Sequence, residues 1–256
     1  MTSAAFVGYG TIVRKETVRI VRIWTQTILP SVISQTLYFA IFGGIVGARI
    51  GHMGGSSYTA FLVPGLVMMS AITNAFSNVA SSFFGAKFQR SIEEILVSPM
   101  KPWAVLAGYV SGGLVRGVAV AAAVFLVSVA FVRPHVTHMG ALIFFIFVTC
   151  LIFSLLGFLN GLLARKFDDV GLIPTFVLTP LTYLGGVFYD LNVLPPFWRA
   201  VSHANPIVYM IDGFRFGFTG TAVTSVLGSA GILVVVAGVL IVLTLALLRR
   251  GFGLKQ

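Results

Sequence analysis

ILVVVAGVLIVLTLALL, residues 232–248, contains no charged side chain and a single hydroxyl, Thr244. It forms the centre of an apolar run at 226–248. At about 1.5 Å of rise per residue, a helix of this length crosses a hydrocarbon layer of about 30 Å. Five further runs have comparable reach, at 28–48, 61–83, 104–132, 140–163 and 171–188; Ser, Thr, Asn and Pro interrupt those at 61–83 and 171–188. None alternates as the strands of a membrane barrel do. The expected fold is an all-α polytopic membrane protein with six transmembrane helices. Composition agrees: 57% of the 256 residues are hydrophobic and 9% charged, against about 25% charged in soluble domains. Mean hydropathy is +1.00.

Charge orients the spans. With both termini cytoplasmic, Arg14, Lys15, Arg19, Arg22, Lys87, Arg90, Lys101, Arg165, Lys166, Arg249, Arg250 and Lys255 lie inside. Arg49, Arg133, Arg199 and Arg215 lie outside, and Arg116 falls within the third span. Twelve against four is the bias of the positive-inside rule. It accounts for the formal net charge of +10 without nucleic acid, because the basic residues border spans and form no extended basic surface. MTSAAFVGYG lacks a basic region ahead of an apolar core, so it is a poor signal peptide. Cys150, alone in an apolar run, reads as a buried inert thiol.

Residues 12–26 read as an amphipathic helix in the cytoplasmic interface. Lys15, Arg19, Arg22 and Gln26 share one side, and Val13, Thr17, Ile20 and Trp24 another. The bland alternative is a basic anchor for the first span. GxxxG spacing at 43/47, 108/112, 113/117 and 157/161 permits close helix contact, within one chain or between chains. In the loop KFQRSIEEILVSPMK, Ser91 and Glu94 can form a capping box and Pro99 ends a short helix. That helix suits docking to a soluble partner, or is an ordinary loop helix. The short RKFDD loop at 165–169 makes the fourth and fifth spans antiparallel neighbours. Residues 190–218, with Pro195 and Pro196 among many apolar and aromatic side chains, are too broken to span and too apolar for water. They are expected to re-enter the outer interface as short helices.

Polar residues inside the spans are the candidate functional groups. Asn74, Ser77, Asn78 and Ser81 recur on one helix face, as do Thr175, Thr179 and Thr182. Unpaired polar groups are costly in lipid, so each stripe faces a pathway or bonds to a neighbouring helix. Arg116, about 18 Å along its span, is an intramembrane cation with no evident acidic partner. The four histidines lack HExxH spacing, no GxxxxGK[ST] loop is present, and no hydrolase constellation is visible. Any nucleotide-driven engine is therefore another chain, and this chain holds no cofactor or metal.

FLVPGLVMMS at 61–70, SSFFGAKFQRSIEEILVSP at 81–99, LTPLTYLGGVFYDLNVLPPFW at 178–198 and NPIVYMIDGFRFGF at 205–218 give the whole chain a resemblance. It resembles the membrane subunit of bacterial ABC-2 type exporters, and especially the small inner-membrane permeases encoded beside a separate ATPase. It is similar, too, to permeases of lipo-oligosaccharide and nodulation-factor export. The resemblance implies a homodimer with two separate ABC ATPase subunits, on which ATP and Mg would act. It implies a coupling helix at 88–98 including Ser91, Glu93, Glu94 and Ile95. Residues 12–26 would be the connecting helix, spans two and five would line the path, and 190–218 would form the outer gate. The function implied is outward movement of an amphipathic or lipid-like substrate through the inner membrane by alternating access. A partner-independent secondary transporter or channel is the alternative, and an intramembrane enzyme would need a catalytic cluster the sequence lacks.

Overall fold

The computed structural model describes residues 2–92, 100–251 and 253. Helix α1 (Thr2–Arg22) leads, across a break at Ile23, into α2 (Trp24–Ile50). Two short strands, β1 (His52–Met53) and β2 (Ser56–Ser57), pair antiparallel and turn the chain into α3 (Tyr58–Phe88). Helices α4 (Pro102–Val129) and α5 (Met139–Leu163) follow. Next comes α6, residues 167–184, then α7 (Pro196–His203), α8 (Pro206–Thr219) and α9 (Val226–Arg249).

Among the described residues, five helices are long and apolar enough to cross a membrane: α2, α3, α4, α5 and α9. The run at 171–188 falls in α6, which extends about 27 Å at 1.5 Å per residue. Two acids, Asp168 and Asp169, open α6, and its middle, Pro174–Leu178, winds as a π-helix. The proline has no N–H to give, and Thr179 Oγ1 donates to the Pro174 carbonyl at 3.0 Å. A second π stretch, Phe39–Val46, lies in α2, where Thr59 Oγ1 donates to the Gly43 carbonyl at 3.1 Å. In both π stretches a threonine hydroxyl adds a hydrogen bond to a helix carbonyl, and at Pro174 it joins the Thr179 backbone N–H.

The core is α3 laid between α4 and α5. Small residues set these distances. A Cβ on Gly161 would stand 2.9 Å from the Ala80 carbonyl oxygen, and one on Gly157 would collide with that of Phe76. On α4, Gly113 and Gly117 are covered by Val79 and Ala75 of α3 and by Ser154 and Cys150 of α5. The 113/117 and 157/161 pairs therefore join helices within one chain. The 108/112 pair receives α1: Ile12 sits on Gly108 and Glu16 on Gly112, at matching four-residue spacing.

Helix α1 starts ten residues ahead of the amphipathic stretch read from the sequence. Ala5, Ile12, Glu16 and Ile20 form its buried line, while Val18 and Val21, and Trp24 at the start of α2, are exposed. The cations divide as well: Lys15 and Arg22 are exposed and Arg19 turns toward α3.

Candidate functional site

Asn74 and Asn78, one turn apart on α3, are both buried. Asn74 Nδ2 donates to Ser31 Oγ of α2 and to the Ser70 carbonyl, each at 3.0 Å. Its Oδ1 accepts from Arg116 Nε of α4 at 3.3 Å. Asn78 Oδ1 accepts from an Arg19 terminal nitrogen at 2.8 Å. The same nitrogen meets Glu16 Oε2 at 2.7 Å, and Ser82 Oγ donates to Glu16 Oε1 at 2.6 Å. One polar tract thus ties α1, α2, α3 and α4 together. Glu16 is 0% exposed and forms the one ion pair among the described residues. Two arginines and one carboxylate leave the tract with an excess positive charge. Arg116, for which the sequence names no partner, has a neutral amide.

Sequence reasoning missed Glu16. It is the only acid before Glu93, and Arg19 follows at the three-residue spacing of helical pairs. Matched with the 108/112 glycines, that isolation was the available signal.

The two sequence stripes do not face one way. Asn74 and Asn78 turn into the bundle, Ser77 is half-buried, and exposed Ser81 donates to the Ser77 carbonyl at 2.6 Å. On α6, Thr175 and Thr179 are exposed. Thr182 is buried and donates to the Leu178 carbonyl at 2.6 Å. No hydrogen bond joins one stripe to the other among the described residues.

At one end of the bundle, Lys87 Nζ donates to the Leu162 and Ala164 carbonyls at 2.9 and 2.7 Å. It thereby caps α5, whose last carbonyls have no partner within the helix. Phe84 and Phe88 of α3 pack edge-on against Phe167 of α6. Arg90, at φ 58°, turns the chain off α3. Ser91 Oγ donates to the Ala86 carbonyl at 3.1 Å, and Ile92 is buried. Glu93, Glu94 and Ile95 lie outside the described residues.

At the opposite end, α7 and α8 fold over the bundle. Asn205 Nδ2 donates to the Leu181 carbonyl at 2.6 Å, and Gly213 and Gly217 pack on Phe145 and Leu142 of α5. The Arg215 guanidinium lies 3.9 Å from the centre of the Phe61 ring and donates to the Gly186 carbonyl at 2.8 Å. Asp212 accepts from the backbone of Val223 and Thr224 and from the Thr224 hydroxyl, fixing the turn into α9.

A family model described as ABC-2 type transporter matches residues 8–219, from α1 to the end of α8. The chain belongs to the ABC-2 type transporter family. It is similar to the inner membrane transport permease YadH of Escherichia coli (strain K12), 53% identical over 251 residues that cover 98% of each chain. Nodulation protein J of Rhizobium leguminosarum bv. viciae is 26% identical over 235 residues, covering 89% of this chain and 90% of that one. Nodulation protein J of Rhizobium meliloti (strain 1021) is 27% identical over 242 residues, covering 89% and 88%. This ABC-2 permease is a multi-pass inner-membrane protein and the membrane subunit of an ABC-type transporter. ATP hydrolysis resides on a separate subunit.

In this permease the functional groups form a polar tract of amides, hydroxyls and two arginines around the single carboxylate of Glu16. Its chemistry is hydrogen bonding and charge placement: holding helices, and presenting polar atoms at membrane depth. Among the described residues no three His, Cys, Asp or Glu side chains gather as a metal site would require.

Proposed function

We propose that this chain works as a homodimer with two ATPase subunits and exports an amphipathic or lipid-like substrate by alternating access. Each chain would span the membrane six times, with residues 171–188 as the remaining span and both termini cytoplasmic. Residues 190–218 would be the re-entrant cover at the outer face. The segment 88–98, with Ser91, Glu93, Glu94 and Ile95, would couple to the ATPase. Asn74, Ser77, Asn78, Ser81, Thr175, Thr179 and Thr182 would border the path, with Arg116 supplying charge beside it.

The observation that carries this reading is the unequal finish of the helices. Only 17% of the most apolar window of α2 is buried, against 78% for α3, and Thr175 and Thr179 of α6 are exposed. Faces that carry polar groups at membrane depth call for a second surface or a passing cargo. The rigid Lys87 clamp beside the coupling segment supplies a base through which motion of an attached ATPase can reach α3, α5 and α6. Likeness to an inner membrane transport permease agrees with a transport role.

The test is purification of the chain from its native membrane with bound proteins identified by mass spectrometry and ATPase activity measured. A stoichiometric P-loop ATPase is expected. Glu93→Ala with Glu94→Ala should keep insertion but weaken ATPase association or transport-coupled hydrolysis. Transport by the chain without any ATPase would replace this reading with that of a secondary transporter or channel.

A further inference from the structure

Three grooves along the helices differ in kind, and a fourth, of about 410 Å³, lies among the loops around Ser56, His135 and Thr221. One lies between Trp103, Leu106, Val110 and Leu245, and a second between Val67, Phe125, Leu142 and Phe214; both are almost wholly apolar and match lipid tails. The third, of about 280 Å³, lies between α2 and α3 and is lined by Ser31, Ser34, Gln35, Tyr38, Thr73 and Asn74. Its α3 wall, Met69–Asn74, begins about 16 Å from the Tyr58 end of that helix by helical rise. Polar groups lining a groove at that depth find no hydrogen-bond partner in the surrounding hydrocarbon.

Gln35 is decisive. It is 5% exposed, and its side-chain oxygen has no hydrogen-bond partner. Its neighbours are engaged: Asn74 with Ser31 and Arg116, and Tyr38 with the Tyr183 hydroxyl of α6 at 3.3 Å. An orphaned buried amide costs the desolvation of its polar atom unless something comes to it. A hydroxyl is donor and acceptor at once, so it satisfies the amide in either rotation. Behind Asn74 stands Arg116, and one turn further along α3 Asn78 holds Arg19 of α1, with Glu16 as the counter-charge among the described residues. The excess positive charge disfavours a cationic occupant. At about 280 Å³ the groove is at the small end of ligand-sized pockets and has room for a head group. Beside it, Ile33, Leu37 and Ile41 form an exposed apolar line at four-residue spacing on α2.

We infer that the α2–α3 groove, through Gln35, Ser34 and Thr73, binds the hydroxyl-bearing, uncharged or anionic head of an amphipathic cargo whose tail lies along Ile33, Leu37 and Ile41. The inference deepens the export reading above and rests on it, since it names the cargo's head chemistry; cationic amphiphiles are disfavoured.

The test uses the permease–ATPase complex in phosphatidylcholine nanodiscs. Three photoreactive diacylglycerol probes share their tails and carry a glucosyl, a phosphoglycerol or a trimethylammonium head. The first two should label the Ser31–Tyr38 stretch at least fivefold more than the third. Gln35→Leu should cut that labelling about fivefold, the worth of one hydrogen bond. Because the variant removes an orphaned polar atom, its thermal midpoint should hold or rise, which separates recognition from folding. Equal labelling by all three heads, or labelling indifferent to Gln35→Leu, overturns the inference while export with the ATPase still stands. Cross-linking of Gln35→Cys to a second copy with exclusion of the probes overturns it too, making the groove a dimer contact. In phosphatidylcholine vesicles, ATP should move the glucosyl probe to the opposite leaflet. Gln35-dependent labelling without that movement, in a complex that hydrolyses ATP, overturns the cargo role and marks a resident-lipid site. Failure of the ATPase to associate at all defeats the export reading, whatever the groove binds.

Discussion

Helices α3 and α2 both have the length and apolarity to cross a membrane, yet one is finished by its own chain and the other is not. The most apolar window of α3 is 78% buried and that of α2 17%. Glycine pairs let α4 and α5 close on α3 until Cβ-sized gaps vanish, and dispersion across such seams is what holds helices together in lipid. Helix α2 has a π-wound stretch, and a Cβ on its Gly44 would meet nothing within 4 Å. Close packing belongs to the α3–α5 block, while α2, like α9, is left largely uncovered by its own chain.

Breaking the block should have the largest effect. Gly157→Leu drives a side chain into the Phe76 backbone, which cannot move aside as a side chain would. It should cost more than about 3 kcal/mol, read as loss of the monodisperse protein on size exclusion in detergent. Glu16→Ala strands Arg19 beside Asn78 and should cost about 3 kcal/mol, at the low end of such losses because the Arg19 side chain is 26% exposed. Thermal unfolding followed by circular dichroism measures it, and Arg19→Met added to Glu16→Ala should recover part of the loss. Unchanged stability of the single variant would detach α1 from the block.

Hydropathy locates the long helices because every residue of a span contributes to the average. The 157/161 and 113/117 glycines are legible as close-contact positions, but not as contacts within one chain, since spacing does not name a partner. Arg116 is legible as an anomaly and its Asn74 partner is not, because a neutral amide leaves no trace of complementary charge. Nor can composition show the π stretches at 39–46 and 174–178, which are differences in hydrogen-bond register. The orphaned Gln35 escapes notice for a related reason: one glutamine among apolar neighbours looks like a tolerated polar residue until its surroundings are known.

Smaller effects sharpen the comparison from the other side. Arg116→Leu removes one 3.3 Å hydrogen bond and should change stability by about 1 kcal/mol, while a pathway role requires a much larger loss of ATP-driven transport in vesicles. Normal transport by that variant would reduce Arg116 to a tolerated cation. Gly44→Val should shift monomer stability by less than about 0.5 kcal/mol; a loss of dimer in native mass spectrometry would show that α2 is completed by a second copy. The smallest effect is at the exposed start of α6. Backbone N–H groups of Arg165 and then Lys166 hold the Asp169 carboxyl below its ordinary value of 3.8. A depressed folded-state value means stabilisation that is complete above 3.8 and lost as pH falls through the lower folded value. Asp169→Asn should abolish that dependence in acid titrations of thermal stability, with no change at neutral pH beyond the lost cap.

The Lys87 clamp also fixes an order of events during synthesis. Its acceptors at Leu162 and Ala164 lie 75 and 77 residues further along the chain. When α3 leaves the ribosome its terminal ammonium has nothing to bind, and it stays in water or among lipid phosphates until α5 has been made. Only then can the charge withdraw into the protein. Closure of this end of the bundle thus waits for α5, and a nascent chain stalled before Leu162 would hold Lys87 exposed to any reagent that reads free amines.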